Sequence, residues 1–256
     1  MARSPPNPDW TGWLRSWDEQ QESFNIDRER RFSAMLDVLE ATLGRRFTAL
    51  DLGSGPGSLS ARILRRFPSA RVVAVDYDPV VRRIGEGALG TVGGRLTWVD
   101  AKLGSPGWSE RLPGRRYDAA VSTTALHWLT AAALTRLYRD LGRLVRPGGT
   151  FLDGDQLGWG KSERELARLA ERVRASRSSH ARSAARWGGW RRWWRDARRV
   201  PALRAAFAEH DRRGASHPDR TDLSLDQHVR RLRAAGFRTV ATVWQDQENR
   251  VLFARR

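Results

Sequence analysis

The chain has 256 residues, enough to bury one large core or a core with a small cap. It holds no cysteine, which excludes disulfides, thiolate catalysis and Cys-ligated zinc. The formal charge is +17, from 46 Lys and Arg against 29 Asp and Glu. Such an excess raises nucleic acid or an anionic surface as a partner. Yet lysine stands only at Lys102 and Lys161, and the enrichment in Arg, Ala, Gly and Trp reads equally as a coding bias. Residues 158–213 concentrate the charge, with 16 basic and 6 acidic residues. No stretch reaches the roughly 20 apolar residues of a membrane span, and the first residues lack the apolar run of a signal peptide, so a cytoplasmic protein is expected.

Residues 1–9 are Pro-rich and read as a loose tail. Trp10, Trp13, Leu14 and Trp17 then recur at helical spacing. A second helix is expected from about Asp27, its N-cap, to Leu43, with Phe32, Met35, Leu36 and Leu39 on one face and Gly44 ending it. The period changes at Phe47–Leu52, a short strand running into a glycine turn. A helix through Leu59, Ile63 and Leu64 follows and stops at Pro68. Arg71–Asp76 reads as a buried strand, Pro79–Leu89 as a helix opened by Asp78, and Arg95–Asp100 and Tyr117–Ser122 as further strands. Thr130–Val145 is a helix closed by Arg146-Pro-Gly-Gly, and Thr150 starts a fifth strand. This alternation implies right-handed crossovers and a parallel sheet covered on both faces. It breaks off near residue 156. Residues 161–213 read as two or three Arg-rich helices bearing Trp187, Trp190, Trp193 and Trp194, with Gly158–Gly160 and Gly188–Gly189 as candidate hinges. Leu223–Ala235 is a helix, and Phe237–Trp244 and Val251–Ala254 form a hairpin through residues 245–250.

The chemistry lies in Ala49-Leu-Asp-Leu-Gly-Ser-Gly-Pro-Gly-Ser-Leu, where a strand turns into a helix. Gly53, Gly55 and Gly57 let backbone approach a ligand closely, and the helix N-terminus offers free N–H groups. A nicotinamide fingerprint wants glycine or alanine where Ser58 stands, which weakens that reading. Asp76, about twenty residues on at the next strand tip, is placed to accept hydrogen bonds from ribose hydroxyls. Asp78 is the better helix cap.

The order Asp51-x-Gly53-Ser54-Gly55-x-Gly57, an acid closing the second strand (Asp76) and an acid closing the third (Asp100) resembles the class I S-adenosylmethionine-dependent methyltransferases. Arg146-Pro-Gly-Gly before the fifth strand and the terminal Ala-Ala-Gly-Phe hairpin add to the likeness, which covers roughly residues 30–155 and 224–256. The resemblance implies an α/β, Rossmann-like doubly wound sheet, mostly parallel with an antiparallel C-terminal strand. It divides the chain into an N-terminal helical lid (1–43), a cofactor domain (44–156 and 223–256) and an Arg/Trp-rich helical cap (157–222). It implies S-adenosyl-L-methionine as the cofactor, with the glycines and Ser54 against its methionine and ribose portions and Asp76 on the ribose. Tyr77 would lie on the adenine, with Asp100 and the Ala101 backbone at its edge and the Ser122 carbonyl facing the methionine amino group. Asp51 would act through water or by orienting the turn.

The loop Ser122-Thr-Thr-Ala-Leu-His127-Trp128 resembles the acceptor-side loop of small-molecule methyltransferases. His127 is the candidate base for a hydroxyl or amine, or else a residue that orients the loop. Trp128 packs the loop or walls the acceptor pocket, and Asp155 points to the same end of the sheet. Trp187, Trp190 and Trp194 share a helix face; they wall a flat or cationic acceptor or glue the cap to the core. No His, Asp or Glu grouping has metal-ligand spacing. A small-molecule acceptor is the first expectation. A nucleic-acid acceptor is the alternative raised by the charge, although the fourth strand lacks the D/N-P-P-Y/F ending of amino-directed nucleic-acid enzymes. A non-catalytic cofactor-binding subunit is the third.

Overall fold

The computed structural model describes residues 8–24, 27–177, 180–214 and 223–256. Residues 1–7, most of the expected tail, lie outside them. Two helices come first, α1 (Trp10–Phe24) and α2 (Arg28–Leu43). Strands and helices then alternate through β1 (Thr48–Leu52), α3 (Ser58–Arg66), β2 (Arg71–Asp76), α4 (Pro79–Leu89), β3 (Leu96–Asp100), β4 (Tyr117–Thr123), α5 (Ala131–Leu144) and β5 (Val145–Gln156). Three helices follow, α6 (Arg164–Arg177), α7 (His180–Arg198) and α8 (Arg204–Arg213), before α9 (Leu225–Ala234), β6 (Thr239–Asp246) and β7 (Asn249–Arg255).

One seven-stranded sheet runs β3-β2-β1-β4-β5-β7-β6, a doubly wound, Rossmann-like order. The first five strands pair in parallel, and β7 lies antiparallel between β5 and β6. Two cores cover its faces. One gathers Leu50, Leu52, Val75, Leu137, Tyr138, Leu141, Phe151 and Phe237 under α5 and α9. The other gathers Phe32, Met35, Leu39, Ile63, Leu64, Val72 and Leu152 under α2 and α3. Close approach of α5 to the end of α9 depends on Gly142, where an added Cβ would stand 2.1 Å from the Ala235 carbonyl oxygen. A backbone carbonyl cannot rotate away. Gly142→Val is therefore expected to lower stability by about 2–3 kcal/mol, or roughly 5–10 °C in Tm, read by calorimetry or circular dichroism; an unchanged melt would refute the packing argument.

A third cluster joins α1, α4, α7 and α8 through Trp10, Ile84, Trp193 and Phe207. Gly87 on α4 leaves room for the Trp10 ring, which a Cβ there would meet at 2.4 Å.

Several boundaries differ from expectation. Asp27 does not cap α2 through its side chain: its φ is 65°, its carboxylate leans to Arg30 at 3.6 Å, and its carbonyl takes the Arg31 amide. Gly188 and Gly189 are not a hinge, because α7 runs through them. The hairpin turn is only Gln247-Glu248, since Trp244, Gln245 and Asp246 pair with Val251, Arg250 and Asn249. The fifth strand begins at Val145, with a register shift opposite Tyr117 and Ala119.

Candidate functional site

The carboxyl ends of β1, β2 and β4 meet around the glycine turn. Gly53, Gly55 and Gly57 all have left-handed φ values, 68°, 54° and 86°, which a side chain would strain. The turn is held to β2 by the Gly53 and Ser54 amides, which both donate to the Val75 carbonyl. Buried Asp51 ties strand to helix, since its Oδ2 accepts from the Ser60 amide at 3.1 Å and the Ser60 hydroxyl at 2.6 Å. Its Oδ1 is buried without a partner, and burial pushes the carboxyl up to about 6.

Asp76 closes β2, and its carboxylate already takes two backbone amides, from Gly55 at 2.7 Å and Asp78 at 2.8 Å. Burial raises it to about 6. Asp78 caps α4 through the Val80 amide. The Ser122 hydroxyl donates to the Leu52 carbonyl at 2.8 Å and so locks β4 to β1 beside the turn. The Ala101 amide donates to the Asp76 carbonyl at 3.3 Å.

Asp100 closes β3 beside these groups, but a guanidinium holds it. Arg213 at the end of α8 donates to both oxygens, at 2.8 and 2.7 Å, and Arg82 adds a bond at 3.2 Å. Arg213 also donates to the Tyr77 carbonyl and lies 4.8 Å over the Tyr77 ring. Tyr77, Asp100 and Arg213, with Lys102, Trp108 and Arg111, line a cleft of about 410 Å³. If Asp100 and Tyr77 serve an adenine, Arg213 competes for both. Arg213→Ala is then expected to bind S-adenosylhomocysteine about two- to fivefold more tightly, the scale of one partly exposed ion pair. Unchanged or weaker binding in a titration would show that the guanidinium does not compete.

A second group forms where β4 and β5 end. His127 Nδ1 lies 2.8 Å from both oxygens of Asp155. Burial alone would raise the Asp155 carboxyl, but the His127 ring and then Arg31 overcome it and hold it below the usual carboxylate range. Trp128 packs its ring 4.6 Å from the imidazole. Asp153, two residues earlier on β5, is buried with neither oxygen partnered, and burial and Asp155 push it well above the usual range.

The tryptophans assemble elsewhere. Trp190 and Trp194 pack edge-on or tilted against each other and against Trp17 of α1, and Trp194 meets Phe207 and His210 of α8. They join α1, α7 and α8 into one block. Its edge reaches the glycine turn, where Trp17 stands 3.7 Å from the position of a Cβ on Gly55. The side chain of Trp187 lies outside the described residues.

Arg31, missed by the motif reading, is fully buried beside the second group and donates to Thr123 and Asn249. A signal existed: it stands four residues before Met35, on the apolar face of α2.

Fold and site together define a Rossmann-like domain with a glycine turn and acidic strand tips at the carboxyl edge of its sheet. Residues 49–149 match the sequence model of the family described as methyltransferase domain. An uncharacterised methyltransferase of Mycobacterium tuberculosis is 39% identical over 123 residues, covering 47% of this chain and 55% of that protein. Trans-aconitate 2-methyltransferase of Azoarcus is 33% identical over 139 residues, covering 54% of this chain and 50% of the relative. The chain thus spans about half the length of the curated relatives it matches. Human N-acetylserotonin methyltransferase, solved with its cofactor, shares the fold at 14% identity and a TM-score of 0.54, over 99% of this chain and 60% of that one. Residues 49–149 thus resemble a methyltransferase domain, on a fold shared with a methyltransferase solved with S-adenosyl-L-methionine. Among the described residues no helix is long and apolar enough to cross a membrane.

Proposed function

We propose that this protein methylates a small-molecule acceptor and that His127 is the base that removes the acceptor's proton. The observation that carries the reading is the His127–Asp155 pair at 2.8 Å, on the same sheet edge as the glycine turn. With Asp155 on Nδ1, the ring keeps its proton there and presents Nε2 as the acceptor of a hydroxyl or amine proton.

The cradle fits S-adenosyl-L-methionine as the cofactor. Three glycines give the turn its left-handed backbone, Asp51 Oδ1 is an orphaned buried acceptor, and Asp76 has carboxylate lone pairs beside the turn. When bound, S-adenosyl-L-methionine supplies an already activated methyl group, so positioning and exclusion of water are the main tasks left to the protein. Asp76 would hold the ribose, the Gly53–Gly57 turn with Ser54 the methionine side, Tyr77 and Ala101 the adenine. The Ser122 carbonyl would face the amino group. Asp51 orients the turn through Ser60.

The division into lid, cofactor domain and cap belongs to the same proposal. As a lid, α1 would be pinned over the turn by Trp17 and by Asp18, which accepts from the Ser58 hydroxyl at 2.6 Å and pairs with Arg62 at 3.2 Å. The cap would reach the cofactor side through Arg213 and through His210, which meets Asp78 at 3.1 Å. Trp190 and Trp194 serve as glue in this reading, supported by their ring contacts to Trp17, while Trp128 walls the acceptor side.

Calorimetric titration with S-adenosylmethionine and S-adenosylhomocysteine, with NADH as control, tests the cofactor side. Release of S-adenosylhomocysteine then reports acceptors from panels of alcohols, amines, trans-aconitate and RNA. Turnover of a small hydroxyl or amine compound is the expected result, and turnover of RNA alone would overturn the reading. A carboxylate acceptor is already a nucleophile, so turnover confined to trans-aconitate would remove the need for a base.

A further inference from the structure

Arg31 carries a charge that its immediate contacts do not explain. It is fully buried on α2. Its Nη1 donates to Asn249 Oδ1 and its Nη2 to Thr123 Oγ1, each at 2.9 Å, while Nε has no partner. Both partners are neutral, and among the described residues no carboxylate lies within ion-pair distance of the guanidinium. A buried cation in that setting is costly unless an anion nearby offsets it. Here Asp155 is the strongest opposing charge, with Asp153 and Glu22 weaker and Arg28 adding to the cost.

The backbone brings Arg31 to the pair. Gly154 precedes Asp155 on β5, and a Cβ there would stand 3.0 Å from Arg31 Cδ and 3.2 Å from Nε. Thr123 pairs with Gly154 across β4 and β5, and the Thr124 amide donates to the Gly154 carbonyl. The loop that carries His127 therefore leaves the sheet at the residue Arg31 grips, and ends on a ring held by Asp155.

We infer that Arg31 is a positioning residue for His127: it anchors Thr123 at the start of the loop, and its charge acts on the Asp155 carboxylate that orients the imidazole. This rests on the reading of His127 as the base. The groups acting on the pair come from every side: Asp153 on β5, Tyr138 on α5 and His228 on α9 act on or sense Asp155, while Glu22 on α1 and Arg28 on α2 act on Arg31. Loss of the Arg31 cation favours a protonated imidazole, so His127 should hold its proton to higher pH.

Nitrogen-15 NMR of the five histidines of the full chain tests this without any acceptor, with His127→Asn assigning the signal. The wild type should show the neutral ring protonated at Nδ1, and Asp155→Asn should disturb it. Arg31→Met should raise the His127 midpoint by about one pH unit. Arg31→Lys, which restores charge without the fork, should keep it within about 0.3 unit of wild type. Affinity for S-adenosylhomocysteine should stay within about twofold in both. Thr123→Val, which keeps the guanidinium and removes only its anchor, should broaden or split the His127 resonance; it also serves if Arg31→Met does not fold. The inference is overturned if the Arg31 variants leave the midpoint unmoved, if Met and Lys shift it alike, or if Thr123→Val leaves the resonance as in wild type. A wild-type ring without the Nδ1 proton, or one indifferent to Asp155→Asn, would instead remove the base reading itself.

Discussion

Asp76→Ala is expected to weaken S-adenosylhomocysteine binding by about 10²–10⁴-fold. Two hydrogen bonds from ribose hydroxyls to a carboxylate contribute roughly 1.5–3 kcal/mol each, and every 1.4 kcal/mol is about tenfold in Kd. The substitution also frees the Gly55 and Asp78 amides that the carboxylate now holds. Asp76→Asn separates the two effects, because an amide oxygen can still accept from one of those N–H groups. A thermal melt within a few degrees of wild type establishes that the turn survives, and full affinity in such a protein would remove Asp76 from the cofactor site.

The same carboxyl gives that affinity a pH dependence. Its pKa of about 6 in the folded chain lies above the ordinary 3.8, owing first to burial. The folded state therefore binds this proton more tightly than the unfolded one. That contribution to stability is complete below about pH 4 and is lost as pH rises through 6. Ribose binding wants the ionised form, so the signs oppose. Affinity for S-adenosylhomocysteine should fall about tenfold from pH 7 to pH 5, and the fall should vanish in Asp76→Asn. An affinity flat across that range would mean that the ionised carboxylate is not what holds the ligand.

The second large effect is expected at His127. With a hydroxyl or amine acceptor, His127→Asn should lower kcat by about 10²–10⁴-fold, the usual worth of a positioned base. The Kd for S-adenosylhomocysteine should remain within about twofold, because the ring belongs to the β4–β5 side of the site. Asp155→Asn should lower kcat by a comparable factor, since an amide can donate to Nδ1 and so favour the other tautomer. A loss of cofactor affinity equal to the loss of rate would make the pair a structural brace instead.

Much of this fold and the conformation of its glycine turn is legible in the sequence because it is local. Strand-to-helix alternation fixes a period change every few residues. Gly53, Gly55 and Gly57 mark a turn needing left-handed backbone, and Asp76 and Asp100 follow at intervals set by one strand-helix-strand crossover. Each of these signals lies within a single unit of chain, so spacing alone carries it.

The acceptor side was read only as a set of candidates, since its partners are far apart in the chain. His127 and Asp155 are separated by a helix and a strand, and no spacing in the sequence pairs them. The Asp100–Arg213 contact spans 113 residues, and Arg31 meets Asn249 across 218. Among 46 basic residues, one more arginine on a helix looks like a solvated charge. What distinguishes Arg31 is the missing side chain at Gly154, and only the packing of α2 across β5 brings the two together. Sequence determined the sheet's parallel half, the glycine turn and the acids at the strand tips, because backbone conformation and burial period act over a few residues. Tertiary structure alone decided that β7 enters between β5 and β6, that the tryptophans join α1 to α7 and α8, and that a buried arginine stands behind the His127–Asp155 pair. Those outcomes depend on which surfaces exclude water together, and no local period records that choice.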